Sequence, residues 1–583
     1  MPLLPTLTET AQTRSVTDVF AGYNHNLKIA DGEFFDTKNL SSAYYPLLST
    51  RAKRGLVHEF TAYQGITALA GKLAYVDNNV LYYDGVPTGL TGITSGIKQL
   101  VTTGSYICIF PDGLYYNTVD PTDMGSMAAT YELENVNLTY KMSNADGVDY
   151  NEAAKSDTAP EDPQDGDLWI DTKYSVLKEY SSSMVTWVEI PSVYTRIIFP
   201  AQTAGHRLTD FFSVGDGITI SGTPYDKLNA SKIISSMDET WITVVGILDN
   251  ESSARADKVT IERIVPKMDF VIECQNRLWG CYYGLDDKSG STINEIYATA
   301  LGDFKNWYKY QGISTDSYAA SVGTDGPWAA AINYLGYPTF FKLNHIHRVA
   351  VSAEGAHQIS DTPCRGVPIG SAKSLAIINE TLYYKGFEDV CVYQGGFPST
   401  ISSKLGDVKY HDAVGGALGD KYYLSMKDTK GVSHLFVADT TNGIWIREDN
   451  LNVSDFVTVG NEIYAVADGI LYAIKGSEGT LEVPLDWYAE TGMLYYELPD
   501  KKYVSRFNLR MKMEKGDWLS IFIEYDTDGV WREQGKRIYF NGTGTVTVPI
   551  KPRRCDHLRI RLVGHGDIKL YSIARILEQG SDY

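Results

Sequence analysis

One hairpin pattern recurs along the chain and restricts its fold more than any other feature. A glycine or polar turn leads into a short strand of Tyr, Leu, Ile and Val. Asn, Asp or Gly follows, and then a second aromatic-rich strand. The pattern runs from Gly71 to Tyr83, Ser105 to Tyr116, Ser374 to Tyr384 and Asn461 to Ala473. Turn residues between two runs of period-two, β-prone residues predict a β-hairpin at each place. Such a unit cannot bury both faces alone, so the copies must stack on one another. The expected fold class is all-β: a β-propeller carrying inserted small β domains, followed by a C-terminal β-sandwich. Roughly six to seven blades are expected, within the usual range for propellers.

Breaks in the pattern divide the chain. Residues 1–56 read as an N-terminal arm packed across the first blades, with Asp36 or Thr37 near the start of a short helix. Residues 57–149 read as the first part of the propeller. An Asp- and Pro-rich linker at 146–168 leads into a different β pattern, so residues 150–266 read as inserted β domains. Blade text resumes over 267–478. Residues 479–583 read as a β-sandwich, because apolar residues alternate with Arg, Lys, Ser or Asn from Tyr503 to Met513 and from His557 to Val563.

Composition agrees with this class. Tyrosine accounts for 41 of 583 residues, and it favours strands and wet, shared surfaces. The net charge of -20 argues against sequence-independent binding of nucleic acid or anionic membrane on the outer surface. It is compatible with DNA sliding through an acidic lumen without sticking. The six cysteines include no CxxC pair, and Cys274 and Cys281, which flank one hairpin, read as buried free thiols of a cytoplasmically folded chain. The first residues have neither the basic start nor the apolar core of a signal peptide, and no stretch approaches the roughly 20 apolar residues of a membrane span.

Motifs for chemistry are sparse. No GxGxxG, P-loop, GxSxG or HExxH sequence occurs. Repeated Asp-Gly pairs read as hairpin turns. His345 and His347 share a strand face and could chelate a metal only with a third ligand. Cys555-Asp-His557 juxtaposes a nucleophile and a base in sequence, which is not approach in space. The expectation is therefore no catalytic residue, cofactor or metal, and not an enzyme. The basic clusters, Arg51 to Arg54 and Lys551 to Arg554, suit docking onto an acidic neighbour, which in a chain this acidic could be another copy. Trp169 and Trp187 are the candidates for a glycan-facing surface.

Both ends of the chain carry a resemblance. Phe20 to Asn24, then Asp31-Gly-Glu-Phe34, Asn39-Leu-Ser41 and Pro46 to Arg51 resemble the opening of virion structural proteins of tailed bacteriophages. Pro499 to Arg506, Pro552 to Arg559 and Lys569 to Asp582 are similar to the same group. The layout is similar to that of the tail nozzle (tail tubular protein B) group of short-tailed phages, and Gly166 to Thr172 resembles small modules of phage tail and fibre proteins. The resemblance implies a virion tail component, made in the bacterial cytoplasm and assembled as a homo-oligomeric ring, six copies by analogy with nozzles. Its implied partners are portal or adaptor proteins, tail proteins and fibres, with phage DNA passing through the lumen during ejection and no membrane contact. The docking arm would use Phe20, Tyr23, Asp31, Glu33, Phe34, Tyr44, Tyr45, Arg51 and Arg54, and a second interface Arg553, Arg554 and His557. The rival expectations are a receptor- or glycan-binding propeller at the tail tip and a cell-wall glycosidase with paired carboxylates in a central cleft.

Overall fold

The computed structural model describes residues 12–150, 153–248, 252–286, 289–351, 356–496 and 501–579. Among the described residues, helix is confined to Leu208–Phe211 and two short 3-10 turns. Seven antiparallel sheets follow one another as blades, each beginning with its innermost strand. These inner strands are Tyr63–Leu69, Gln99–Thr103, Phe270–Cys274, Ala330–Tyr334, Ala376–Ile378, Tyr410–Leu418 and Val453–Val459. Neighbouring inner strands touch in cyclic order, with the turn Ala372–Ser374 bridging blades four and five, and the seventh packs on the first. The ring is closed.

Alternation along each strand explains why the repeats need one another. In blade two Ile107 and Ile109 enter the core shared with blade one, while Cys108 and Phe110 enter the core shared with blade three. In blade six Tyr422 and Leu424 face blade five, and Tyr423 faces blade seven. Both faces of a blade are apolar, so each of the seven gaps between blades holds its own buried cluster. Cys274 and Cys281 lie together in the core between blades three and four as free thiols.

The insertion leaves between blades two and three. It is a closed six-stranded barrel that begins at Ala129–Ser143 and ends at Ser252–Arg263. A four-stranded module, Ala154–Ser156 to Thr186–Glu189, is nested between the barrel's first two strands. The expected boundary at residue 150 is thus corrected to 129. Most of the stretch 146–168 lies within the module, whose first strand is Ala154–Ser156, and not between propeller and insertion. The barrel's first strand alternates Tyr131, Leu133, Leu138 and Tyr140 into the barrel core, a pattern that sequence alone cannot tell from a blade strand.

The expected N-terminal arm is corrected as well. Gly55–Glu59 pairs with Ile470–Ala473 and completes blade seven, so the ring is closed by the chain's own beginning. Upstream, Gly22–Tyr23 adds to the outer strand of blade six at Trp445, and Glu33–Lys38 pairs with Asp486–Thr491. Asp36 lies in that strand, not in a helix. One ten-stranded sheet therefore runs from blade six, through the N-terminal strands, to the C-terminal strands Leu558–His565, Trp518–Tyr525 and Arg532–Tyr539. Leu40–Ser41, Leu48–Thr50 and Gln12–Thr17 join a second sheet with Lys502–Met513, Gly542–Pro549 and Ile568–Gln579. The two sheets enclose one core, which includes Phe20, Phe34 and Leu48 beside Phe507, Leu519 and Leu562. The sandwich begins at Asp486, since Thr480–Leu481 still belongs to the sheet of blade seven. Gly22 has φ +78°, and a Cβ there would lie 2.3 Å from the Trp445 carbonyl oxygen; only glycine permits this crossing from sandwich to propeller.

Candidate functional site

The first strands of the blades enter the ring at one end. There they leave a cavity of about 440 Å³ around the axis, lined from blades one to five and seven. Its polar groups are Lys98, Gln99, Asp269, Lys373 and Asp455, drawn from separate blades and the turn Ala372–Ser374. Ile66, Phe110 and Phe270 supply apolar wall.

Gln99 ties two blades together at this mouth. Its amide donates to the Val271 carbonyl at 2.5 Å and accepts from the Val271 N–H at 3.0 Å. Lys98 is buried against Asp112 at 2.9 Å and bonds the Thr94 hydroxyl at 2.7 Å, so it holds the wall rather than a ligand. Asp455 accepts from Lys373 Nζ and from the Tyr63 hydroxyl, each at 2.5 Å. Burial, and then the neighbouring Asp455 carboxylate, push the Tyr63 phenol far above its ordinary range. Asp269 accepts one N–H, from Tyr283 at 2.9 Å. Burial raises its carboxyl above the usual range, and that single bond does not offset the rise. One cavity thus presents two carboxylates, one of them paired with a cation. Carboxylates and amides of this kind can bind polyhydroxylated ligands.

The structure places the sequence-predicted residues elsewhere, and seven of the fourteen are buried: Phe20, Tyr23, Glu33, Phe34, Arg51, Arg54 and Trp169. Phe20 stacks on Phe34 with centroids 6.1 Å apart in the sandwich core. Tyr23 packs edge-on to Phe436 between blades five and six. Glu33 accepts from Asn24 at 2.7 Å and meets Lys404 at 3.2 Å. Asp31 pairs with Arg575 across the sandwich, its Oδ1 3.0 Å from the guanidinium. Arg51 meets Glu482 at 2.7 Å, and Arg54 meets Asp449 at 2.6 Å and Glu448 at 2.9 Å. The acidic neighbour expected for these arginines is their own chain, and their burial corrects the reading of 20–54 as a docking arm. Tyr44 and Tyr45 remain exposed, with the Lys569 ammonium 3.5 Å over the Tyr44 ring.

Arg553 and Arg554 are exposed at the sandwich edge, and Arg553 lies 3.4 Å from Asp528. His557 bonds the Thr527 hydroxyl at 2.6 Å and Asp556 at 3.0 Å. Cys555 is buried, and burial pushes its thiol up to about 11, so it is not a poised nucleophile. Trp169 is corrected as a glycan-facing candidate: it is buried, donates to the Ser156 carbonyl at 3.1 Å and carries Lys178 over its ring. Trp187 is half-buried, edge-on to Trp169 at 5.4 Å. His347 is fully buried against the Thr324 hydroxyl at 2.8 Å, and burial lowers it to about 4. Among the described residues, no three His, Cys, Asp or Glu side chains gather as a metal site. Sequence reading missed the axial mouth, because its residues are scattered from Ile66 to Asp455.

No family model matches the chain, and no curated protein matches it. Solved structures similar to it include the endosialidase of phage phi92, with a TM-score of 0.26 at 9% identity over 89% of this chain and 80% of that one. PorZ, a surface component of the type-IX secretion system of Porphyromonas gingivalis, has a TM-score of 0.25 at 12% identity over 88% of this chain and 77% of that one. An exo-β-1,3-galactanase from Phanerochaete chrysosporium has a TM-score of 0.21 at 8% identity over 52% of this chain and 95% of that one. Likenesses this distant assign no substrate. The expectation that the chain is not an enzyme is nevertheless corrected by them, since glycoside hydrolases and an endosialidase stand among the structures found. Its physical basis was also too narrow: missing nucleophile and metal motifs exclude little for a hydrolysis that needs only two carboxylates. The chain is an all-β protein with a seven-bladed propeller frame.

Proposed function

We propose that this protein is a structural component of a bacteriophage tail, a nozzle-like subunit of a ring through which the genome leaves. The observation that carries this reading is the joint between propeller and sandwich. The segments that resemble phage virion proteins, near Phe20 to Arg51, Arg506, Pro552 to Arg559 and after Lys569, are the ones that build it. A sheet running unbroken from blade six into the sandwich transmits load between domains without a flexible linker, as a tail part under genome pressure requires. The propeller axis is lined by side chains such as Phe110 and Phe270, so a DNA lumen has to lie between copies. Peptide mass spectrometry of purified, DNA-filled particles tests the reading. Recovery of the chain in stoichiometric amounts is expected; particles that lack it while remaining infectious overturn the assignment.

A second reading rests on the axial mouth, where Asp269 and Asp455 line one cavity. A saccharide bound there, with or without hydrolysis, fits a tail-tip receptor-binding role. Binding to host surface polysaccharide that falls at least about tenfold in both Asp269→Asn and Asp455→Asn supports it, as expected when a charged hydrogen-bond partner of a ligand is lost. Undiminished binding in either variant removes it.

A further inference from the structure

The net charge of the whole chain conceals two opposed regions. Residues 501–579 hold 16 Lys and Arg against nine Asp and Glu. The inserted barrel and module, residues 129–263, hold 11 against 22. A charge asymmetry of this size within one chain is a statement about partners.

The basic charge is displayed on a sheet face. Along Lys502–Met513, Phe507, Leu509, Met511 and Met513 point into the sandwich core, which leaves Arg506, Arg510 and Lys512 exposed on the other side. The flanking strand sets Thr547, Thr545 and Thr543 opposite Asn508, Arg510 and Lys512. Arg506 and Arg510 have no carboxylate partner among the described residues, and the only one near Lys512 is Glu514 at 3.6 Å. Uncompensated guanidinium groups on one exposed face repel one another and are complemented by an acidic surface opposite. Acidic residues are exposed on the insertion: Glu134, which stands opposite Lys258, and Asp257 on the barrel's two long strands, and Glu161 and Asp162 on the nested module.

We propose that the outer face around Arg506, Arg510 and Lys512 docks onto the acidic inserted barrel and module of a second copy of this chain. The inference rests on the ring reading above and specifies its subunit contact. The two surfaces differ, so the contact is heterologous and head-to-tail, as ring closure requires. Nucleic acid is the other polyanion such a face could take, but -20 on the whole chain opposes its approach, whereas the barrel's own acidity supplies the complement.

The test uses the full-length protein and sedimentation velocity, with circular dichroism to check folding. The wild type is expected to assemble at about 0.1 M salt and to dissociate towards 1 M, where screening shortens from about 10 Å to about 3 Å. R506E/R510E/K512E should weaken assembly by roughly tenfold or more, and R506Q/R510Q/K512Q by less. E134K/D257K/E161K/D162K should fail in the same way. Mixing the two reversed chains should restore assembly, because each reversed face then meets a complementary one. A wild type that stays monomeric at low salt, a reversed face that assembles normally, or a mixture that does not recover would each overturn the proposal. Recovery of the chain in virions is a separate measurement, so loss of this contact and loss of the tail reading can be told apart.

Discussion

Arg54→Ala is expected to destabilise the protein by about 3–5 kcal/mol, the usual cost of removing one partner from a buried ion pair. Arg54 lies where blade six, the closing strand of blade seven and the sandwich converge. Its guanidinium satisfies Asp449 and Glu448 at 2.6 and 2.9 Å. Removing it leaves two largely buried carboxylates beside each other. The pH dependence has a definite sign. Burial raises the Asp449 carboxyl, but Arg54 and Arg51 together outweigh it and hold the group below its ordinary range. In the unfolded chain the group titrates near pH 4, so its contribution is present above that pH and lost as pH falls through the depressed folded value. In the variant, burial is opposed only by Arg51 and the Leu451 N–H, and acidification relieves part of the penalty. The stability gap between wild type and variant, measured by urea unfolding, should therefore narrow between pH 7 and pH 4. A gap below about 1 kcal/mol at pH 7, the range of an exposed pair, would show that Arg54 is not a closing element.

A chain that begins at residue 60 is expected not to fold as a cooperative unit. It would lack the fourth strand of blade seven and the N-terminal strands of both sandwich sheets. It would also lose Phe20, Phe34, Leu40 and Leu48 from the core. Truncating one such side chain costs about 2–5 kcal/mol, and four of them rival the roughly 5–15 kcal/mol by which a domain is stable. The newly bare strand edges would favour aggregation. Limited proteolysis and near-ultraviolet circular dichroism read the outcome. A soluble truncated chain with native protease resistance would return residues 12–59 to the role of an appended arm.

The parts of the fold that were legible in sequence are those whose partners lie nearby. Blade hairpins such as Lys72–Asp77 with Val80–Tyr83 pair within a dozen residues, and their alternation on both faces announces stacking. The sandwich was legible because Val504 to Met513 separates a wet face from a dry one. The joint was not. Thr37 bonds the Arg447 carbonyl 410 residues away, and Asp31 meets Arg575 across 544. No local pattern encodes such a partner, so residues that fill a core read as an exposed arm. The same holds for the axial mouth, assembled from residues that lie between Ile66 and Asp455 in sequence. The barrel's first strand failed for a different reason: period-two alternation fits a barrel and a blade equally well. The charge asymmetry could have been read directly, but it was averaged away in the chain's total.

In the proposed arrangement this frame is one subunit of a tail ring, with the sandwich of each copy set against the insertion of the next. A single-particle reconstruction of the virion tail tests it most directly. The prediction is a closed ring whose lumen runs between propellers, with the Arg506–Lys512 face against the neighbouring barrel. A chain found as isolated propellers at the tail periphery, with its axial mouth turned outward, would contradict it.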